Sequence, residues 1–218
     1  MFVEGEQSKL GLLRLVVGPL DVNCYVLWNK ATKEAVIIDP GGDGDMIAKE
    51  VNDRSLKPVR IINTHGHFDH IGSNAELVRL FGVGLAIHSD DVELLERAPM
   101  MASQYGLPAP EVEKPELLLE DKATLSIGDI SIEVLHTPGH SRGGVCFYIP
   151  SAGVIITGDT LFAASIGRTD LPGGDFDTLI ASIKNKIMPL PDSVRIFPGH
   201  GGESSVGDEK LINSFLQG

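Results

Sequence analysis

The chain has 218 residues and carries 18 basic against 30 acidic side chains, a formal net charge of −12. Its 42% apolar and 22% charged residues, with 25 Gly and 13 Pro, are those of a folded globular domain and exclude disorder, collagen or coiled coil for the whole chain. The acid excess weighs against a nucleic-acid partner, whose phosphates need a basic surface, and no run of about 18 apolar residues offers a membrane span.

Short apolar runs separated by Gly, Pro, Asn and Asp make up the rest of the pattern. Strands are expected over 12–17, 24–28 and 35–38, forming a meander that ends at Asp39-Pro40-Gly41-Gly42. A helix over 46–51, a strand over 59–62, a helix over 75–81, a strand over 85–87 and a helix over 90–97 follow. The stretch 98–115 contains four Pro and no clear period, and reads as a loop. Strands are then expected over 116–119, 123–125, 130–135, 145–148, 154–157 and 195–197, with helices over 176–187 and 209–215. Strands and helices in both halves predict one domain, 1–218, of two sheets packed face to face with helices outside. Cys24 and Cys146 are too few for a disulfide framework, and Met1 to Gln7 shows neither the basic nor the apolar stretch of an export signal, so a cytoplasmic location is expected.

The segment Asn63-Thr64-His65-Gly66-His67-Phe68-Asp69-His70 places three His and one Asp within six residues, directly after an apolar strand. In an extended chain alternate side chains share a face, so His65 and His67 point together. A turn into a helix near Asp69 would swing that carboxylate and His70 to a neighbouring point, with Gly66 keeping the backbone adaptable. Imidazole with carboxylate suits zinc, iron and related divalent ions. His140, Asp159 and His200 repeat one context, each just after a strand and beside a Gly, as expected if strand ends converge on one rim. For other residues the plainer readings are preferred: His136 as a packed side chain or one that supports a ligand from behind, His88 as part of a helix start, Cys24 as a buried structural thiol.

The order His65-x-His67-x-Asp69-His70, then His140, Asp159 and His200, with Asp39 in Ile37-Ile38-Asp39-Pro40-Gly41, resembles the metallo-β-lactamase superfamily. The resemblance implies a four-layer αβ/βα sandwich with a binuclear site at one edge. One ion would take His65, His67 and His140, the other Asp69, His70 and His200, and Asp159 would bridge them. Asp69 and Asp159 would be the catalytic carboxylates, and Asp39 would orient a ligand from behind. Within the superfamily, His67 stands where flavodiiron proteins have Glu, and Asp159 where some secreted β-lactamases have Cys; nuclease branches are longer and fit poorly with −12.

Val22-Asn23-Cys24-Tyr25 and the run from Phe162 to Asp170 are similar to the short, single-domain members of the glyoxalase II group. Only 18 residues follow His200, so the glutathione-gripping helical domain of longer members is not expected. The implied chemistry is hydrolysis of a glutathione-type thioester, such as S-D-lactoylglutathione, by a hydroxide bridging two divalent ions. Zinc is the first choice, and iron or manganese also accept these ligands. A thiol with pKa near 8.5 departs as thiolate with little help, whereas an amide needs a proton donor. Arg168 could bind a substrate carboxylate or brace its loop, and Tyr25 and Tyr105 could line the pocket or simply pack. The same Gly167-Arg168-Thr169-Asp170 run also resembles persulfide dioxygenases, which would use one iron on His65, His140 and Asp159. Leu171-Pro172-Gly173-Gly174 departs from their pattern and favours the hydrolase. A non-catalytic binding module is the third class, opposed by the complete ligand set. The partner expected is a small-molecule thioester, without nucleic acid or membrane, and oligomeric state is not legible.

Overall fold

The structure, a computed structural model, describes residues 9–217; the reading of Met1 to Gln7 as lacking an export signal lies outside the described residues. The first half runs β1 (Leu10–Val17), β2 (Val22–Asn29), β3 (Glu34–Ile38), α1 (Gly44–Asp53), β4 (Lys57–Ile62), α2 (Asn74–Phe81), β5 (Gly84–His88), α3 (Val92–Gln104) and β6 (Leu117–Leu119). Its six strands form one sheet in chain order, antiparallel from β1 to β3 and parallel from β3 to β6.

The second half runs β7 (Thr124–Ile127), β8 (Ile130–His136), β9 (Val145–Ile149), β10 (Val154–Gly158), the hairpin β11 (Leu161–Phe162) and β12 (Ser165–Ile166), α4 (Phe176–Ser182), β13 (Arg195–Pro198), β14 (Ser204–Ser205) and α5 (Val206–Ile212). The second sheet has the order β14-β13-β10-β9-β8-β7, with β10 and β13 parallel.

Strand β2, VNCYVLWN, is buried along its whole length, because side chains alternate between two covered faces. Tyr25 and Leu27 enter the core between the sheets, where they meet Ile132, Phe147 and Phe197. Cys24, Val26 and Trp28 point the other way, into the core under α1 to α3. A third core seals α4 and α5 onto the second sheet through Leu179, Ile183 and Val206. The result is the expected helix, sheet, sheet, helix sandwich. Full burial of one such aliphatic side chain contributes about 1.5–3 kcal/mol. Among the described residues, no helix is long and apolar enough to cross a membrane.

Local structure departs from expectation in four places. The stretch read as a loop from 98 begins inside α3, which continues to Gln104 through Pro99. Pro99 forfeits one backbone bond, but Leu95, Ala98 and Ala102 are fully buried on one helix face, and that packing outweighs the lost bond. No helix begins at Asp69; the chain makes a turn in which the His70 N–H donates to the His67 carbonyl at 3.0 Å. The helix expected over 209–215 starts earlier, at Val206, where the Ser205 side chain caps it, and it ends before Asn213. The hairpin β11–β12 had no periodic signal, since each strand has two residues.

Candidate metal centre

Every residue of the expected ligand set sits just beyond a strand end on one rim. Strands β3 and β4 are parallel, so Asp39 and the 63–70 segment emerge side by side; β10 and β13 are parallel, so Asp159 and His200 do the same. His140 lies on the loop after β8.

The candidate ligand atoms fall into two groups. His65, His67 and His140 converge, with His67 Nδ1 2.9 Å from His140 Nε2. Asp69, His70 and His200 form the second group, with Asp69 Oδ2 3.4 Å from His200 Nε2 and 3.7 Å from His70 Nε2. Asp159 stands between them: Oδ2 lies 3.6 Å from His140 Nε2 and 3.7 Å from His200 Nε2, while Oδ1 lies 3.5 Å from His70 Nε2. Gly199 permits this approach, because a Cβ there would fall 2.3 Å from Asp159 Oδ1 and 2.8 Å from a His70 ring carbon.

A layer of hydrogen bonds behind the ligands fixes their lone pairs. His70 Nδ1–H donates to Asp39 Oδ2 at 3.0 Å, which leaves Nε2 free to face the cluster. Thr64 Oγ1–H donates to the same Asp39 oxygen at 2.6 Å and lies 3.0 Å from His65 Nδ1, so it can accept from that ring and turn His65 Nε2 inward. His140 Nδ1–H donates to the Arg168 carbonyl at 2.8 Å. Asp39 is 1% exposed, and its other oxygen takes the Thr64 N–H at 2.7 Å. With both oxygens so engaged, Asp39 acts from behind the ligands.

The buried atoms His65 Nε2, His67 Nε2, His70 Nε2 and Asp159 Oδ1 have no hydrogen-bond partner. Orphaned polar atoms of this kind are costly, and coordination to cations would satisfy His65 Nε2, His70 Nε2 and Asp159 Oδ1, whereas His67 meets the cluster through Nδ1. Electrostatics agree at His65 and His67, while His70 has to shed a proton to bind an ion. Burial, then the neighbouring His70, pushes His65 well below the usual imidazole range, and burial and His140 bring His67 down to about 3. Both rings are therefore neutral, the form that binds metal. Burial also opposes a charge on His70, but the Asp159, Asp69 and Asp39 carboxylates outweigh it and raise His70 to about 10. Burial works to raise Asp69 too, yet His70 and a hydrogen bond from His200 hold its carboxyl well below the ordinary value. The donor set fits a pair of divalent ions.

The cluster forms one end of a cavity of about 500 Å³ whose other walls include Leu20, Phe68, Met101, Phe162 and Leu171. Arg168 lines it, but its guanidinium forks onto Asp170 at 2.8 and 2.7 Å. Tyr25, a candidate pocket residue, is not in the wall: it is completely buried, and its hydroxyl donates to the Pro198 carbonyl at 2.7 Å, bracing the strand that leads to His200. Tyr105 does line the cavity. The need for Gly66 is space rather than unusual backbone angles, because a Cβ would meet the Asp91 carbonyl at 2.8 Å.

Sequence reasoning missed Asp91. Its buried carboxylate accepts from the Gly66 N–H at 3.0 Å, Ser141 Oγ at 2.7 Å and the Gly143 N–H at 2.6 Å, tying together the loops that carry His65, His67 and His140. His88 and His136, read as structural, stack with ring centroids 4.1 Å apart, and His88 Nδ1 accepts from the Asp90 N–H. Burial raises both thiols, Cys146 to about 11, in keeping with structural roles.

The metallo-β-lactamase superfamily pattern matches residues 17–200. A hydroxyacylglutathione hydrolase, GloC, from Haemophilus influenzae is 38% identical over 196 residues, covering 89% of this chain and 92% of its own. Among solved structures, BLEG-1, described as a B3 metallo-β-lactamase, is 40% identical with a TM-score of 0.89, covering 95% of this chain and all of its own. TTHA1623, solved in a di-iron-bound form, is 37% identical with a TM-score of 0.86 over 94% of this chain and all of its own. Ligand geometry, four-layer fold and a match over most of its length agree: the chain belongs to the metallo-β-lactamase superfamily.

Proposed function

We propose that this metal-dependent hydrolase cleaves thioesters of the glutathione type, with S-D-lactoylglutathione as the representative substrate. His65, His67 and His140 would hold one divalent ion, and Asp69, His70 and His200 the other, with Asp159 shared. Zinc suits this set, and the di-iron form of TTHA1623 makes iron the second choice. When bound, the ions supply Lewis acidity, making water nucleophilic at neutral pH and polarising a carbonyl.

The chain's own groups do the rest. The apolar walls hold the acyl-thioester against the cluster and exclude bulk water. Asp69, kept ionised by its imidazole neighbours, accepts a hydrogen bond from the attacking water and orients it, and the proton that water loses passes to solvent. A C–O bond forms, the C–S bond breaks, and the sulfur leaves as thiolate. The observation that carries the reading is this cavity: beside the candidate ligands its proton-bearing side chains are Tyr105, Ser165 and an Arg168 already committed to Asp170, none of them a carboxylic acid or an imidazole. That suits a leaving group needing no proton donor. The 38% identity to GloC supports the same substrate class.

The test is metal content per chain measured with turnover of S-D-lactoylglutathione, a cephalosporin and glutathione persulfide. Thioester cleavage that rises with bound metal is expected. Metal-loaded protein that cleaves no thioester above a chelated control would sink the reading, with the cephalosporin and oxygen-consumption arms naming its replacement.

A further inference from the structure

A second cavity of about 350 Å³ opens beside the first, between α3 and the loops carrying Arg142 and Leu171 to Gly173. The two share Met101, Tyr105 and Leu171 as walls, so one extended ligand can occupy both. The acyl-thioester end needs only the cavity at the ligand cluster, and the second cavity is left for whatever the sulfur carries.

Charge identifies what that is. Of the other seven arginines, six each hold a carboxylate and Arg14 bonds the Gly201 carbonyl. Arg142 lines the second cavity and forms no ion pair among the described residues. In a chain of net charge −12, an arginine left without a carboxylate stands apart.

Its backbone is held firmly. The Arg142 carbonyl accepts from His136 Nε2 at 2.9 Å, and Asp91 grips both flanking residues, Ser141 and Gly143. This places Arg142 on a fixed loop two residues beyond His140. Of the other charged groups lining this cavity, Glu93 and Arg97 pair with each other, Asp91 is taken up by Gly66, Ser141 and Gly143, and Asp90 offers its carboxylate to an ammonium group.

We propose that Arg142 is a specificity residue: the thiol carrier of the substrate passes Tyr105 into the second cavity, where the guanidinium binds its terminal carboxylate. The ligand class is a peptide-like thiol ending in an α-amino acid head. Three residues span about 10 Å when extended, enough to reach from one cavity into the next. The assignment rests on the thioester reading above, but its test does not depend on turnover.

The experiment compares metal-loaded wild type with Arg142→Gln and Arg142→Lys. Calorimetric binding of S-methylglutathione, which carries no thioester, is expected to weaken about 10-fold in R142Q and to be partly recovered in R142K. In turnover, R142Q should raise KM for S-D-lactoylglutathione by a similar factor with little change in kcat. The same lactoyl group on N-acetylcysteamine, which has no carboxylate, should be unaffected. Equal S-methylglutathione binding by wild type and R142Q would overturn the proposal, as would a loss shared by both thioesters. A wild type that binds S-methylglutathione through Arg142 yet cleaves neither thioester would overturn the proposed reaction and leave this subsite standing.

Discussion

At the scale of single residues, Asp39 shows how much geometry one side chain can impose. It holds His70 directly and His65 through Thr64, and its oxygens act only as acceptors. Asp39→Asn keeps the volume, and Asn tolerates the left-handed backbone at this position (φ 50°). The amide nitrogen then faces two donors, so one imidazole loses its orientation. Metal affinity is expected to fall about 10–100-fold with little change in Tm, which a competitive chelator titration measures. Asp39 was legible because it follows a strand beside the ligand run. Asp91 was not: it lies 26 residues from His65 and 49 from His140 in sequence, and only the folded chain brings its carboxylate between their loops. The clustering of the candidate ligands was legible because close spacing and a repeated strand–Gly context are local signals. Arg168 and Tyr25 stand out by their chemistry; Asp170 lies only two residues from Arg168, whereas the Pro198 carbonyl is brought to Tyr25 by packing that spacing does not encode.

At the scale of elements, the hairpin β11–β12 supplies Phe162, Ser165 and Ile166 to the cavity wall, yet two-residue strands cannot hold themselves in place. They are held from the C-terminal side. Glu209 on α5 is fully buried; its oxygens accept from the Ala164 N–H at 3.1 and 3.0 Å, from Ser204 Oγ and from Asn213 Nδ2 at 2.7 Å. Asn213 in turn donates to the Ser165 carbonyl at 3.1 Å. Glu209→Ala strands several buried donors at once and should cost about 2–4 kcal/mol. The distinguishing readout is a KM that rises while metal content stays at the wild-type level, since the ligands are carried elsewhere. An unchanged KM would show that the hairpin stands without this clamp. Long elements such as β2 were readable from burial on both faces, whereas this hairpin has too few residues to show a period.

For the whole molecule, the four-layer packing buries a cluster of imidazoles whose charge states have to be decided together, and that makes stability depend on pH. His65 and His67 titrate below their unfolded value near 6.5, chiefly through burial. As pH falls through 6.5 the unfolded chain takes up these protons and the folded chain does not, so the stability they contribute above 6.5 is progressively lost. His70 has the opposite sign: raised to about 10, its contribution is complete below 6.5 and disappears only as pH rises toward 10. Acidification from pH 7.5 to 5.5 should therefore lower the Tm of chelated protein: His65, His67 and His88, all lowered chiefly by burial, lose stability together, and the gain of the raised His70 and half-buried His200 offsets only part of it. The 30 acidic side chains change little in that window, since their ordinary values lie near 4, so relief of the −12 charge is a minor counterweight. Thermal unfolding at half-unit pH steps in chelator checks the sign, and a repeat in 0.5 M salt screens out surface charge. A Tm that stays level or climbs on acidification would mean that His65 and His67 are not the neutral, buried pair that the fold makes of them.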